Sequence, residues 1–383
     1  MLTALDESLL HQSAETFDNT SISDHRFFDR TVIGMHSPDG AHALVSCFAV
    51  YKNTNVMDGF FCVQENSRRR QLNQRLSRTL RPNVDDVRLG PLKLEVLEPL
   101  KKLRLSLEPG KHPCSCDITW TAALPPYEEA KHFTRLAGRT VRDHLRFDQL
   151  ARASGWINIE GERTEFKDWF AWRDHSWGVR PDVGGFEPYN GRDETPAGFL
   201  GLYCWWLTEE SGGFVQLHED GDGQRLFMDG HIDFQAAPGQ RCLKVADIRH
   251  DVSFAPGTRV FDRAIVDVGT TDGQTFHIEA ESIGRPWVYK GTGYSRGYND
   301  EKGLGVWRGE WLEEIDVYDT GDPEAVILPN KTIIRPVHRE QIARVTVNGQ
   351  PGFAHFPMIN WGPIKRYRLG LDDAERALDQ LNG

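Results

Sequence analysis

Short apolar and aromatic runs, separated every few residues by Gly, Asn, Asp and Pro, recur along nearly the whole chain, and this rhythm constrains the fold more than any motif. Runs that short cannot bury a helix face, but they match strands of antiparallel sheets. The turn sequences agree. Ser37-Pro38-Asp39-Gly40, Asp220-Gly221-Asp222-Gly223, Asp272-Gly273 and Asn348-Gly349 are hairpin signals in which Gly supplies positive φ. The expectation is an all-β protein, with strands predicted over 27–35, 41–51, 57–64, 92–97, 103–107, 115–122, 154–159 and 165–172. The second half predicts strands over 199–207, 213–219, 225–234, 245–254, 259–268, 275–280, 305–311 and 344–348. Helical composition over 128–137, 140–150 and 372–381 predicts peripheral helices, the last with Asp372 and Asp373 placed to cap it.

A chain of 383 residues has room for more than one domain. The stretch 180–197, rich in Gly, Pro, Asp and Asn and without periodicity, predicts an interdomain connection, with domains over 1–190 and 191–383. A net charge of −11 argues against a nucleic-acid partner. The one basic cluster, Arg68, Arg69 and Arg70 followed by Arg75, Arg78 and Arg81, reads as a solvated face or loop. Six cysteines, at 47, 62, 114, 116, 204 and 242, lack paired metal-ligand spacing, and the 14 histidines form no HxH or HExxH pattern, so no metal is expected. No run approaches the ~20 apolar residues of a membrane span. Residues 1–17 lack a basic start and an apolar centre, which predicts cytoplasmic residence with reduced thiols. Exposed sheet edges allow a homodimer.

Chemistry concentrates in Trp169-Phe170-Ala171-Trp172-Arg173-Asp174-His175-Ser176-Trp177-Gly178-Val179-Arg180. Indoles around a carboxyl lower the local dielectric, and burial disfavours the charged form, so Asp174 is a candidate neutral acid. The competing reading is an Arg173–Asp174 ion pair that locks a strand end, because a guanidinium beside the carboxyl favours its ionised form. A second aromatic accumulation, Tyr289, Tyr294, Tyr298, Trp307 and Trp311 with Asp300 and Glu310, shapes either a polar spot in an apolar cavity or the girdle of a barrel. On the apolar run 199–207, period two puts Tyr203 and Trp205 on one face. Phosphate-loop, nucleophile-elbow and dinucleotide motifs are missing, so no nucleotide cofactor is expected.

The segment Arg173-Asp174-His175-Ser176-Trp177-Gly178 resembles the DHxWG signature of the carotenoid 1,2-hydratase and AttH-like group of lipocalin-like proteins, and Gly293-Tyr294 with Gly305-Val306-Trp307-Arg308-Gly309-Glu310 looks like elements of that group's second domain. The resemblance spans most of 25–360, and the RDHSWG form departs from the carotenoid enzymes, so the substrate does not carry over. It implies two lipocalin-like antiparallel β-barrels or curled sheets with an apolar cavity near their contact. It also implies water addition to, or loss from, a terpenoid, carotenoid or steroid-like alkene. Protonating carbon then needs a neutral acid, with Asp174, His175 and Tyr294 as catalytic candidates. Trp172, Trp177, Tyr203, Trp205 and Trp307 are expected to line the substrate and stabilise a carbocation. A cyclase or isomerase using the same acid, and a non-catalytic carrier of lipophilic ligands, are the competing functions.

Overall fold

A computed structural model of the chain describes residues 2–7, 9–136, 138–185, 196–239, 242–287, 292, 300, 302–322, 324–327, 331 and 333–370. The first stretch of chain forms β1 (Phe27–His36), β2 (His42–Tyr51), β3 (Val56–Glu65), β4 (Arg70–Thr79), β5 (Arg88–Leu89) and β6 (Leu92–Glu98). There follow β7 (Lys102–Leu107), β8 (Cys114–Ala122), β9 (Tyr127–Glu128), β10 (His132–Leu136), β11 (Arg139–Ile159) and β12 (Glu162–Val179). Then come β13 (Phe199–Thr208), β14 (Ser211–Asp220), β15 (Arg225–Phe234), β16 (Leu243–Phe254), β17 (Phe261–Thr270) and β18 (Thr275–Ser282). The last are β19 (Trp311–Asp319), β20 (Val326–Ile327), β21 (Ile333–Ile334), β22 (His338–Arg339), β23 (Ile342–Val347), β24 (Gln350–His355) and β25 (Met358–Trp361).

Two antiparallel sheets result, in keeping with two lipocalin-like domains. One runs β21-β20-β19-β4-β3-β2-β1-β12-β11-β8-β7-β6-β5, with β9 and β10 on β11; the other runs β14-β15-β16-β17-β18-β23-β24-β13-β25-β22, and β14 also pairs with β13. The chain thus returns from the second sheet to add β19–β21 to the first before β22–β25 complete the second. Each sheet curls over its own apolar core. Leu72, Leu76, Leu105, Ile118 and Trp120 belong to the first core, and Leu202, Trp206, Ile232, Val266 and Val345 to the second. A third buried cluster joins the sheets through Phe170 and Trp172 of β12, Trp205 and Leu207 of β13, Phe214 and Trp287.

Several sequence expectations change. Residues 128–137 and 140–150 are not helices: β9, β10 and the first half of β11 occupy them, because β11 is covered on both faces and its polar side chains hide the period-two pattern. Among the described residues only two short 3-10 turns are helical; 372–381 lies outside them. The strand expected over 305–311 begins instead at Trp311, since Gly305 turns the chain at φ +60 against the Tyr51 ring. The basic cluster is also corrected. Residues 70–79 form the mostly buried strand β4, in which Leu72 and Leu76 fill the first core. The Arg75 side chain, 4% exposed, pairs with Glu314 at 2.7 Å and with Asp316 of β19. Among the described residues no helix is long and apolar enough to cross a membrane.

Arg75 thus joins β4 to β19 inside the protein, and removing it strands the Asp316 carboxylate. Arg75→Met is expected to lower the free energy of unfolding by about 3 kcal/mol in urea titration. A change within about 0.5 kcal/mol would show the pair contributing nothing net.

Candidate active site

β12 lies between β1 and β11, and alternation along it sends Phe170, Trp172, Asp174 and Ser176 to one face and Ala171, Arg173, His175 and Trp177 to the other. The first face meets the second sheet. Trp172 stacks on Trp205 with centroids 5.1 Å apart and on His355 at 4.3 Å, and Tyr203 continues the ladder at 6.0 Å from Trp205. Gly34, opposite Trp172 on β1, makes room for the indole, since a Cβ there would collide with Trp172 Nε1. Gly178 ends the motif at φ +134, where a Cβ would strike the Asp143 carbonyl, so the last residue of DHxWG is a close-approach glycine.

Asp174 stands directly across from Asp148 of β11. Like charges in opposed positions are unfavourable, and these two are also near Glu129. Glu129 accepts both arms of the Arg146 guanidinium, at 2.7 Å each, and the His132 Nε2–H at 2.6 Å. Burial pushes the Glu129 carboxyl up, but the Arg146 charge together with the hydrogen bonds from His132 and Arg146 outweighs it and holds the group well below the carboxylate range. Asp148 is 1% exposed, and no N–H donor reaches either of its oxygens. The Glu129 carboxylate lies beside it, and two carboxyls held close together in a buried site favour a proton on one of them. Burial and then Glu129 push Asp148 far above the ordinary range. Asp174 is also raised by burial, with Arg146 and Arg30 pulling the other way.

The facing wall comes from the second sheet. The Tyr203 hydroxyl donates to His218 Nε2 at 2.7 Å, Gln216 Nε2 approaches the same nitrogen at 2.9 Å, and Arg146 donates to Gln216 Oε1 at 3.3 Å. Two donors aimed at one ring nitrogen require it to be unprotonated, and burial lowers His218 to about 3. Burial likewise raises Tyr203 to about 12. At the other end of the ladder His36, Trp172, Trp287, Glu340 and His355 line a small hollow. There Glu340 contacts His355 and lies 2.7 Å from His338. Among the described residues no group of three or more His, Cys, Asp or Glu side chains is arranged to hold a metal.

Asp174, Trp172, Tyr203 and Trp205 are therefore brought to one interface. His175 and Trp177, one and three positions from Asp174, point to the opposite face, as period two demands: His175 bonds Asp29 at 2.7 Å and Trp177 is 36% exposed. Arg173 does not clamp Asp174. It lies over the Trp120 and Phe147 rings and donates to Gln149 Oε1 at 3.0 and 2.7 Å, and burial lowers it to about 10. Burial, then Arg30, brings Arg180 to about 10 as well, beside the Phe28 ring. Trp307 is 58% exposed, its Nε1–H donating to Thr79, and stands apart from the ladder. Tyr294, with Tyr289 and Tyr298, lies outside the described residues. Sequence reading missed Glu129, Arg146, Asp148, Gln216 and His218. The signal lay in His144, Arg146 and Asp148, three ionisable groups two apart, which share a face only on a strand.

The profile of DUF8625, a family of unknown function, matches residues 2–367. No functionally curated protein matches the sequence. Among solved structures, an AttH-assigned protein from Nitrosomonas europaea superposes with TM-score 0.53 at 13% identity, over 93% of this chain and 99% of that one. CghA bound to Sch210972 gives 0.49 at 7% identity, over 88% and 89%. Kievitone hydratase from Nectria haematococca gives 0.45 at 9%, over 88% and 89%. The likeness to the AttH-assigned protein is one of fold.

Burial holds His36 near 4, His218 and His231 near 3 and His144 near 2 in the folded protein, against an ordinary value of 6.5. The unfolded chain therefore binds protons on these rings, as pH falls below 6.5, that the folded chain refuses. His112, lowered by burial to about 4, behaves likewise, and stability is expected to fall as pH drops from about 7 to 4, these five histidines outnumbering the raised carboxyls of Asp58, Asp148 and Asp174 that oppose the trend. Urea midpoints across that range test the sign, and a flat or rising midpoint would contradict neutral buried histidines.

Proposed function

The chain belongs to DUF8625, a family of unknown function, and from its geometry we propose a cofactor-independent hydratase or dehydratase acting on a hydrophobic alkene or alcohol of terpenoid type. The observation that carries this reading is Asp148: a fully buried carboxyl, placed against a second carboxylate and across from Asp174, whose burial and acidic neighbour favour its protonated form. Adding water to an unactivated alkene starts with protonation of carbon, which needs such an acid. Asp148 donates, and Asp174, whose charged form Arg146 and Arg30 favour against its burial, stabilises the cation that forms. The Trp172 indole packs against Trp205 and His355, which lie 5.6 Å from each other, and serves as part of a dry wall. Cation–π attraction falls to Tyr203 at the end of the ladder, worth about 2 kcal/mol when desolvated.

Water captures the cation from the second-sheet side. There Tyr203 O–H and His218 form a hydrogen-bonded pair, in which the unprotonated Nε2 of His218 takes a proton as the Tyr203 hydroxyl accepts one from water. Dehydration runs the same steps backwards. The stacked ladder supports a second reading equally, a cyclase or isomerase in which an internal alkene captures the cation. A lipophilic carrier would gain nothing from burying three carboxyls in its ligand face.

Incubating the protein with a panel of acyclic terpenes and terpene alcohols separates these readings by mass spectrometry. Gain or loss of one water marks the hydro-lyase, unchanged mass with altered retention the isomerase, and unchanged bound ligand the carrier. Asp148→Asn and Asp174→Asn are each expected to cut turnover about a hundredfold or more with folding intact. Full activity in Asp148→Asn would end the acid assignment.

A further inference from the structure

A hydratase built this way spends one proton from Asp148 and releases another at Tyr203–His218, so the acid must be recharged before the next turnover. The two ends are joined through Gln216 and Arg146, neither of which carries a proton between sites: the amide does not ionise and the guanidinium keeps its charge. Recharging from solvent needs a different route, and the first sheet holds one.

His132 sits on β10 among exposed neighbours, Lys131, Phe133 and Thr134, with its own side chain 12% exposed. Its ring is stacked between His144, 4.8 Å away, and Phe227, 5.0 Å away. Inward, its Nε2 meets Glu129 Oε2 at 2.6 Å, while the Glu129 side chain is wholly buried. Arg146 pins that carboxylate through both oxygens, and Asp148 lies at its side. This row runs from the rim inward, with His132 bonded to Glu129 and the buried Asp148 carboxyl beside Glu129.

We propose that His132 and Glu129 form a proton relay that recharges Asp148 from solvent, with Arg146 as the positioning residue that keeps Glu129 in line. This rests on the acid role given to Asp148. The balance is simple. Once the Asp148 O–H bond has broken toward substrate carbon, His132, protonated from solvent at Nδ1, passes its Nε2 proton to Glu129. Glu129 hands a proton to the Asp148 carboxylate, and His132 is left neutral with its hydrogen on Nδ1. One proton enters here for each one that leaves at His218, and nothing is oxidised or reduced.

The relay can be read without any substrate. The carboxylic C=O stretch of a protonated Asp148 is visible by infrared difference spectroscopy, is removed by Asp148→Asn, and shifts when its hydrogen exchanges for deuterium in D2O. Exchange is expected to slow at least roughly tenfold in His132→Phe and also in His132→Gln, which keeps a hydrogen bond to Glu129 but carries no proton, and added imidazole should restore the rate. Circular dichroism identifies any variant that has lost its fold, and the surviving variant then decides. Exchange as fast as wild type in a folded variant, or slowed exchange that imidazole leaves unchanged, overturns the relay while leaving the acid assignment standing. A wild-type protein without the band overturns both. A band with His132-dependent exchange, in a protein inactive on every alkene, upholds the relay and fails the hydratase reading alone.

Discussion

Three carboxyls, Glu129, Asp148 and Asp174, share one buried patch with two guanidinia, Arg146 and Arg30, and that imbalance forces a proton into the patch. Leaving all three ionised would bury an uncompensated negative charge, which costs far more than protonating one of them at neutral pH. Arg146 decides which one. It grips Glu129 through two hydrogen bonds, so Glu129 keeps its charge and Asp148, beside it without an N–H donor, takes the hydrogen. The acid is thus a product of packing, since the same residues in water would all be carboxylates.

The barrels explain why this patch lies between the sheets and not inside either one. Both interiors are filled, the first by side chains such as Leu72, Leu105, Ile118 and Trp120 and the second by Leu202, Trp206, Ile232 and Val266. The carboxyl patch lies on the outer faces of β11 and β12, opposite β13 and β14, where the two curled sheets close on each other. That contact is dry around Trp172, Trp205 and Phe214, and polar where Arg146 and Asp148 of β11 and Asp174 of β12 meet Tyr203, Gln216 and His218. An interface of this kind gives two walls of different chemistry, one acidic and one carrying a phenol and an imidazole.

Much of this was legible in the residues. Turn chemistry located the hairpins, and Asn348 and Gly349 adopt the positive φ that their sequence requires. The indole-rich run around Asp174 lies on a strand at the contact between the sheets, and period two puts Tyr203 with Trp205, as the structure has it. The same rule, applied to Asp174 and His175, would have separated them; chemical affinity between adjacent residues was allowed to override strand geometry. Asp148 and Glu129 were hidden for a different reason. The run Thr140-Val141-Arg142-Asp143-His144-Leu145-Arg146-Phe147-Asp148 mixes polar and apolar residues on both faces, because one face lines the interface and the other packs toward the first core. Such a strand has no amphipathic signature and reads by composition as a helix. β4 was misread likewise, its arginines suggesting solvent when Arg75 is buried against acids more than two hundred residues away.

These misreadings share a cause with the site itself. A buried polar residue breaks the hydrophobic pattern from which strands are inferred, and it persists only where partners from distant segments satisfy it. Places where local pattern and tertiary structure disagree are therefore where this fold has spent stability on something other than folding. In β4 the disagreement resolves into Arg75 held by Glu314 and Asp316, which ties β19 to the first sheet with the buried guanidinium fully paired. In β11 it does not resolve: Asp148 keeps a proton it would lose in water. A matched charge cluster needs no purpose beyond holding two strands together, whereas a carboxyl kept neutral in a dry interface, facing an aromatic ladder and a phenol–imidazole pair, has a hydrogen available to give away.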